Sequence, residues 1–180
     1  MAEAAAATAI KPLYSAETIA ARVADLARNI AAAQLRDPLI VAVLKGSFIF
    51  AADLIRALNA QGLDPEIDFI FLASYGAGET SAGEVKILRD VESDIAGRDV
   101  VIVDDILDTG RTLAFAKQLL ERRGARTVKT CILLDKQVPR KVAVTPDFTG
   151  FKCPPKFVVG YGMDLANRYR ELPFIGVLEG

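Results

Sequence analysis

Three carboxylates fall close together in the stretch VVIVDDILDTGRT, Val100 to Thr112. Asp104 and Asp105 close an apolar run, Asp108 follows in a turn, and Thr109, Gly110 and Thr112 stand where a helix begins. Free backbone N–H groups at a helix N-terminus, two hydroxyls and a glycine that permits close approach suit a monophosphate. Carboxylates would repel that phosphate unless they address another part of the same ligand, and ribose hydroxyls or a bound Mg²⁺ are natural partners. An isolated Asp-Thr-Gly does no more than cap a helix. Two acids at the end of a buried strand, with a phosphate-type turn immediately behind them, make a site. It is neither a P-loop nor a dinucleotide fingerprint, because GxxxxGK[ST] and GxGxxG are both absent.

Composition limits the chemistry further. The chain has 180 residues and no histidine, which excludes Ser-His-Asp and Cys-His nucleophiles, His-ligated zinc and an imidazole proton shuttle. Acid–base work therefore falls to Asp, Glu, Lys, Tyr or Cys. Two cysteines, Cys131 and Cys153, cannot build a disulfide framework or a four-ligand zinc site. Cys131 lies in an apolar run and reads as a buried reduced thiol. With 22 basic and 23 acidic residues the net charge is −1, which disfavours a globally basic nucleic-acid binder. The Ala-rich N-terminus lacks a basic n-region and a long apolar h-region, and no apolar stretch reaches the ~20 residues of a membrane span. The expected compartment is the cytosol, with no membrane partner.

The elements that must position the acids follow from periodicity. The first dozen residues read as a loose tail. Ser15 can cap a helix whose apolar positions Ile19, Val23, Leu26 and Ile30 share one face. Leu39 to Leu44 and Val100 to Asp105 are continuous apolar runs, as expected of strands buried on both faces. Phe48 to Ala60 reads as a helix ending near Gly62, and about Thr112 to Arg123 as another stopped by Gly124. Further strands are expected at Asp68 to Ser74, Val85 to Leu88, Thr127 to Leu134, Lys156 to Val159 and Phe174 to Leu178. The small, polar YGAGETSAG between Tyr75 and Gly83 reads as a mobile loop. Alternating strands and helices predict a single α/β domain over residues 1–180, built on a mostly parallel twisted sheet flanked by helices. Ligands of such sheets bind beyond the carboxyl ends of the strands.

Val100 to Thr112 resembles the phosphoribosyl-pyrophosphate (PRPP) motif of type I phosphoribosyltransferases: four apolar residues, two acids, a spacer, then Asp-Thr-Gly-x-Thr. LKGSFIFAADL (Leu44 to Leu54), Ser74-Tyr75, LLDKQVPR (Leu133 to Arg140), PDFTGF (Pro146 to Phe151) and KFVVGYGMD (Lys156 to Asp164) narrow the likeness to its hypoxanthine-guanine branch. The resemblance covers Leu39 to Gly180. It implies the type I fold, with a small hood from the terminal segments, residues 150–180 included, and a mobile active-site loop over 75–84.

It also implies transfer of a 5-phosphoribosyl group from PRPP to a free 6-oxopurine, with Mg²⁺ as cofactor and pyrophosphate released. Ile106 and Asp108 to Thr112, with Thr109, Gly110 and Arg111 between, would line the substrate and hold its 5′-phosphate. Asp104 and Asp105 would serve the ribose and Mg²⁺; the family more often has Glu-Asp there, so Asp-Asp shortens one reach. Asp108 would accept the purine N7 proton. Lys136 would donate to O6, Phe157 would stack on the base, and Val158 and Asp164 would read its edge, Asp164 also approaching a second Mg²⁺. Arg170 and the Lys45-Gly46-Ser47 turn would take pyrophosphate, with a cis bond expected between Lys45 and Gly46. Ser74 and Tyr75 would lead the loop over the reacting centre. The resemblance further implies a homo-oligomer, dimer or tetramer. Two alternatives remain on the same fold: a xanthine-preferring transferase, and a PRPP-sensing regulator that binds nucleic acid.

Overall fold

The computed structural model describes residues 10–75 and 84–178. In chain order the elements are β1 (Ile10–Tyr14), α1 (Ala16–Ala32), β2 (Leu39–Leu44), α2 (Phe48–Ala60), β3 (Glu66–Tyr75), β4 (Glu84–Arg89), β5 (Asp99–Leu107), α3 (Arg111–Arg122), β6 (Thr127–Lys136), β7 (Phe148–Cys153), β8 (Val158–Val159) and β9 (Ile175–Leu178). Six strands form one sheet in the order β4-β3-β2-β5-β6-β7. All neighbours in it are parallel except β3 and β4.

Alternation along the central strands divides the core in two. Ile40 and Ala42 of β2, Val101 and Val103 of β5 and Cys131 and Leu133 of β6 face α1 and α2. Leu39, Val41 and Val43, Val100 and Ile102, and Val128 and Ile132 face the side covered by α3 through Leu113, Ala116 and Leu120. Successive side chains of a strand point to opposite faces, so a sheet buried on both sides needs unbroken apolar strands. The predicted face of α1 is the buried one, and the Ser15 hydroxyl caps it by accepting from Thr18 N–H at 3.3 Å. Both cysteines are buried free thiols, and burial pushes the pKa of each upward.

The second sheet differs from the sequence expectation. Its order is β1-β9-β8, so residues 10–12 form part of an edge strand and not a loose tail. Pro12 hid that strand from the pattern, yet an edge position tolerates a residue with no N–H, and the register slips between Pro12 and Tyr14. PDFTGF was not predicted as a strand, but Phe148–Cys153 forms the β7 edge of the large sheet, so residues 150–153 belong there and not to the hood. Gly150 is required in β7 because a Cβ would run into the Leu133 carbonyl. The expected loop falls outside the described residues between Tyr75 and Glu84. Among the described residues no helix is long and apolar enough to cross a membrane.

Candidate functional site

Strands β2, β5 and β6 deliver the candidate residues at their carboxyl ends. Leu107 lies opposite Asp135 in the parallel β5–β6 ladder, so Asp108 and Lys136 emerge side by side. Lys136 Nζ lies 3.0 Å from Asp108 Oδ2. Ala42 lies opposite Val103, which carries the turn after Leu44 alongside the acids. Gly46 is packed so closely there that a Cβ would fall on the Asp105 carboxylate. The cis peptide bond of this turn is Leu44–Lys45, one position before the expected Lys45–Gly46 bond.

The helices at the site begin without the side-chain cap that closes α1. Ser47, at the head of α2, turns its hydroxyl back to donate to the Val43 carbonyl at 2.6 Å and makes no cap bond. Gly110, at the head of α3, has no side chain to cap with and adopts a left-handed φ of 80°. Neither N-cap residue supplies a side-chain acceptor, and the positive dipole ends of the two helices favour anions. A loop behind the second is held by Arg140, which pairs with Asp135 and donates to the Val144 carbonyl. Val142 N–H donates to the Thr109 carbonyl at 3.2 Å, and a Cβ on Gly110 would strike the Val142 carbonyl. Gly110→Ala should therefore destabilise the protein by about 2 kcal/mol, ~5 °C in Tm, from left-handed strain and crowding together. Thermal unfolding checks this, and an unchanged Tm would show that the turn yields.

Two adjoining cavities meet at Asp108. One of about 260 Å³ contains Asp104 to Gly110, with Thr112 and Gly46. The other, about 480 Å³, is lined by Lys45, Gly46, Asp105, Ile106 and Asp108 together with Lys136, Phe157, Val158, Asp164 and Arg170. A larger cavity, about 600 Å³, lies along the hood at Lys11, Lys156 and Phe157 and has none of the acids. The strand expected from Lys156 to Val159 is only Val158–Val159, so Phe157 precedes it, and at 52% exposed it is free to offer a ring face. Arg111 starts α3 but lines neither site cavity. Ser74 and Tyr75 end β3, paired with Val85 and Glu84.

Asp104 is only 7% exposed. Burial pushes its carboxyl well above the usual carboxylate range, and the Asp105 charge adds to this. Asp105 is also raised by burial, against its bonds to Asp104 and backbone N–H and the charge of Arg170. β5 continues two residues past the expected end, to Leu107, so the two desolvated carboxylates lie within its ladder. They match the oxygen-donor chemistry of a hard divalent cation, which would favour their ionised form. Asp164 does not join them. It pairs with Arg170 at 2.7 Å and accepts from Asn167 N–H at 2.6 Å, and no cluster of three or more metal-binding side chains occurs among the described residues.

The geometry has a counterpart among known proteins. Residues 10–165 match the family model described as Phosphoribosyl transferase domain. The chain belongs to this phosphoribosyltransferase family. A hypoxanthine-guanine phosphoribosyltransferase of Bacillus subtilis (strain 168) is 44% identical over 171 residues, 94% of this chain and 93% of the relative. The bifunctional protein TilS/HprT of Listeria innocua is 44% identical over 170 residues, but the chain spans only 26% of that relative. Among solved structures, a hypoxanthine-guanine phosphoribosyltransferase from Bacillus anthracis superposes with a TM-score of 0.88 at 43% identity, covering 95% of this chain and 100% of that one. A Trypanosoma cruzi hypoxanthine phosphoribosyltransferase superposes at 0.89 with 39% identity, covering 98% and 95%.

Several wall residues of the site have no signal in the sequence. Phe71 and Leu72 look like ordinary strand residues, yet Lys45 Nζ stands 5.7 Å over the Phe71 ring. Met163 and Asn167 complete the cavity near Asp164. Asn167 and its neighbour Ala166 both have positive φ, at 64° and 50°, a local irregularity that no periodicity announces.

Proposed function

We propose that this phosphoribosyltransferase joins the 5-phosphoribosyl group of PRPP to N9 of a 6-oxopurine, hypoxanthine or guanine, releasing pyrophosphate in purine salvage. The observation that carries this reading is the Asp108–Lys136 contact where the two cavities meet. An acceptor beside a donor reads two adjacent atoms on one purine edge, N7 and O6. A 6-amino base offers no acceptor to Lys136.

The uncapped head of α3, with Thr109, Gly110 and Thr112, takes the 5′-phosphate, leaving the ribose against Asp104 and Asp105. The head of α2 at Lys45-Gly46, with Arg170, takes the pyrophosphate. Phe157 stacks on the base, which places N9 toward C1′. As the N9–C1′ bond forms, the bond from C1′ to the pyrophosphate oxygen breaks, and the N7 proton passes to Asp108. The same carboxylate, beside the sugar, stabilises the positive charge that develops there. Asp104 and Asp105 would hold Mg²⁺, which when bound supplies positive charge to the ribose and pyrophosphate oxygens.

The decisive experiment incubates the protein with PRPP, Mg²⁺ and, separately, hypoxanthine, guanine, xanthine or adenine, and measures the nucleotide formed. Nucleotide from hypoxanthine or guanine supports the reading, and its absence with all four bases ends it. Lys136→Ala should reduce hypoxanthine and guanine turnover about tenfold, the worth of one charge-assisted hydrogen bond, and narrow discrimination against adenine. Steady-state rates on each base check this; an unchanged base profile would remove Lys136 from O6.

A further inference from the structure

Tyr161 is a buried phenol on an unusual backbone. Its φ is 49°, between Gly160 at 96° and Gly162 at 99°, so three consecutive residues are left-handed. A bulky residue stays in that region only when its surroundings hold it there. The hold comes from far away in the chain: the phenol donates to Asp53 Oδ2, in the second turn of α2, at 2.5 Å. Tyr161 N–H donates to the Leu172 carbonyl at 2.8 Å and Gly162 N–H to the Arg170 carbonyl at 3.0 Å. Arg170 Nη1 returns a bond to the Gly162 carbonyl at 2.6 Å. Gly162 lies so close to Gly46 that a Cβ would strike the Gly46 carbonyl.

One backbone turn therefore touches both Gly46 and Arg170, and the phenol fastens it to the helix whose head presents Gly46. We infer that Tyr161 is a positioning residue for the pyrophosphate half of the site, its hydrogen bond to Asp53 setting Gly162 and Arg170 against Gly46. This rests on the reading of Lys45, Gly46 and Arg170 as pyrophosphate-binding groups. Two other parts of the site are fastened independently: Val158 by the β8–β9 pairing, and Asp108 to Thr112 by β5 and α3. Loss of the phenol bond should thus weaken ligands that carry pyrophosphate and spare those that do not.

Calorimetric titration of the full chain with PRPP plus Mg²⁺, and separately with inosine monophosphate, tests this in Tyr161→Phe, Asp53→Ala, Asp53→Asn and the Tyr161→Phe/Asp53→Ala pair. Tyr161→Phe keeps the ring and should fold. Asp53→Ala removes the same bond from a half-buried helix position, at the cost of an Arg56 pair that is mostly exposed and worth little. Tyr161→Phe and Asp53→Ala should each weaken PRPP about tenfold and leave the monophosphate within about twofold, with no further loss in the pair. Asp53→Asn retains a carbonyl acceptor and should bind PRPP nearly as wild type does. Equal weakening of both ligands, or unchanged PRPP affinity in Tyr161→Phe, overturns the inference while wild-type binding upholds the functional reading. Wild-type protein that does not bind PRPP overturns both.

Discussion

Asp108→Asn should lower kcat by about 10²-fold or more while PRPP affinity stays near wild type. The amide has nearly the same shape and can still accept from Lys136, whose ammonium lies 3.0 Å from the native carboxylate. It cannot take up the N7 proton, and it brings no negative charge to the reacting sugar. The backbone of the phosphate turn is unaltered, since Thr109 remains bonded to Val142 and Gly110 keeps its left-handed φ. The loss should therefore appear in turnover and not in binding. Steady-state kinetics beside calorimetry with PRPP separates the two, and turnover within about threefold of wild type would sink the assignment.

Asp104→Asn should move activity and stability in opposite directions. Turnover should fall about 10²-fold as a charged oxygen is removed from the proposed cation and ribose site. The folded protein should nevertheless become more stable at neutral pH, by about 1 kcal/mol or more, ~3 °C in Tm. The reason is the cost of ionising a carboxyl that is buried beside Asp105. Its folded pKa lies above the unfolded one, so the folded state holds the proton more tightly. That contribution is fully present below the ordinary carboxylate range and is lost as pH rises through the folded value. Asparagine does not titrate, so the variant's advantage over wild type should be largest near pH 8 and shrink toward about pH 4. Mg²⁺ should raise the wild-type Tm at pH 8 and the variant's less. Melting curves across pH, with and without Mg²⁺, check all three statements. A variant no more stable than wild type at pH 8 would mean that the pair carries no desolvation cost.

The central strands and helices were legible because each depends on a local pattern. Leu39–Leu44 and Phe48–Ala60 have the same bounds in sequence and structure. The run from Asp104 to Thr112 was legible as a site because strand, acids and turn are contiguous. Lys136, Phe157 and Arg170 were different. Read alone, each is an ordinary lysine, core aromatic or surface arginine, and only resemblance singled them out. The strands β1 and β7 escaped because both are sheet edges, one carrying Pro12 and the other Gly150, residues that weaken a strand pattern but that edges tolerate.

By itself the sequence determined that proton transfer has no imidazole to use, that two acids follow an unbroken apolar run, and that a glycine-bearing turn opens the next helix. These are properties of composition and of adjacent residues, which no packing can alter. Only the tertiary structure decided which distant groups meet. The β5–β6 register sets Asp108 beside Lys136, and the Tyr161–Asp53 bond joins the hood to α2. It also decided that Asp164 pairs with Arg170. Such meetings depend on strand register, which changes a side chain's face with a slip of one residue, and on close backbone packing between segments far apart in the chain.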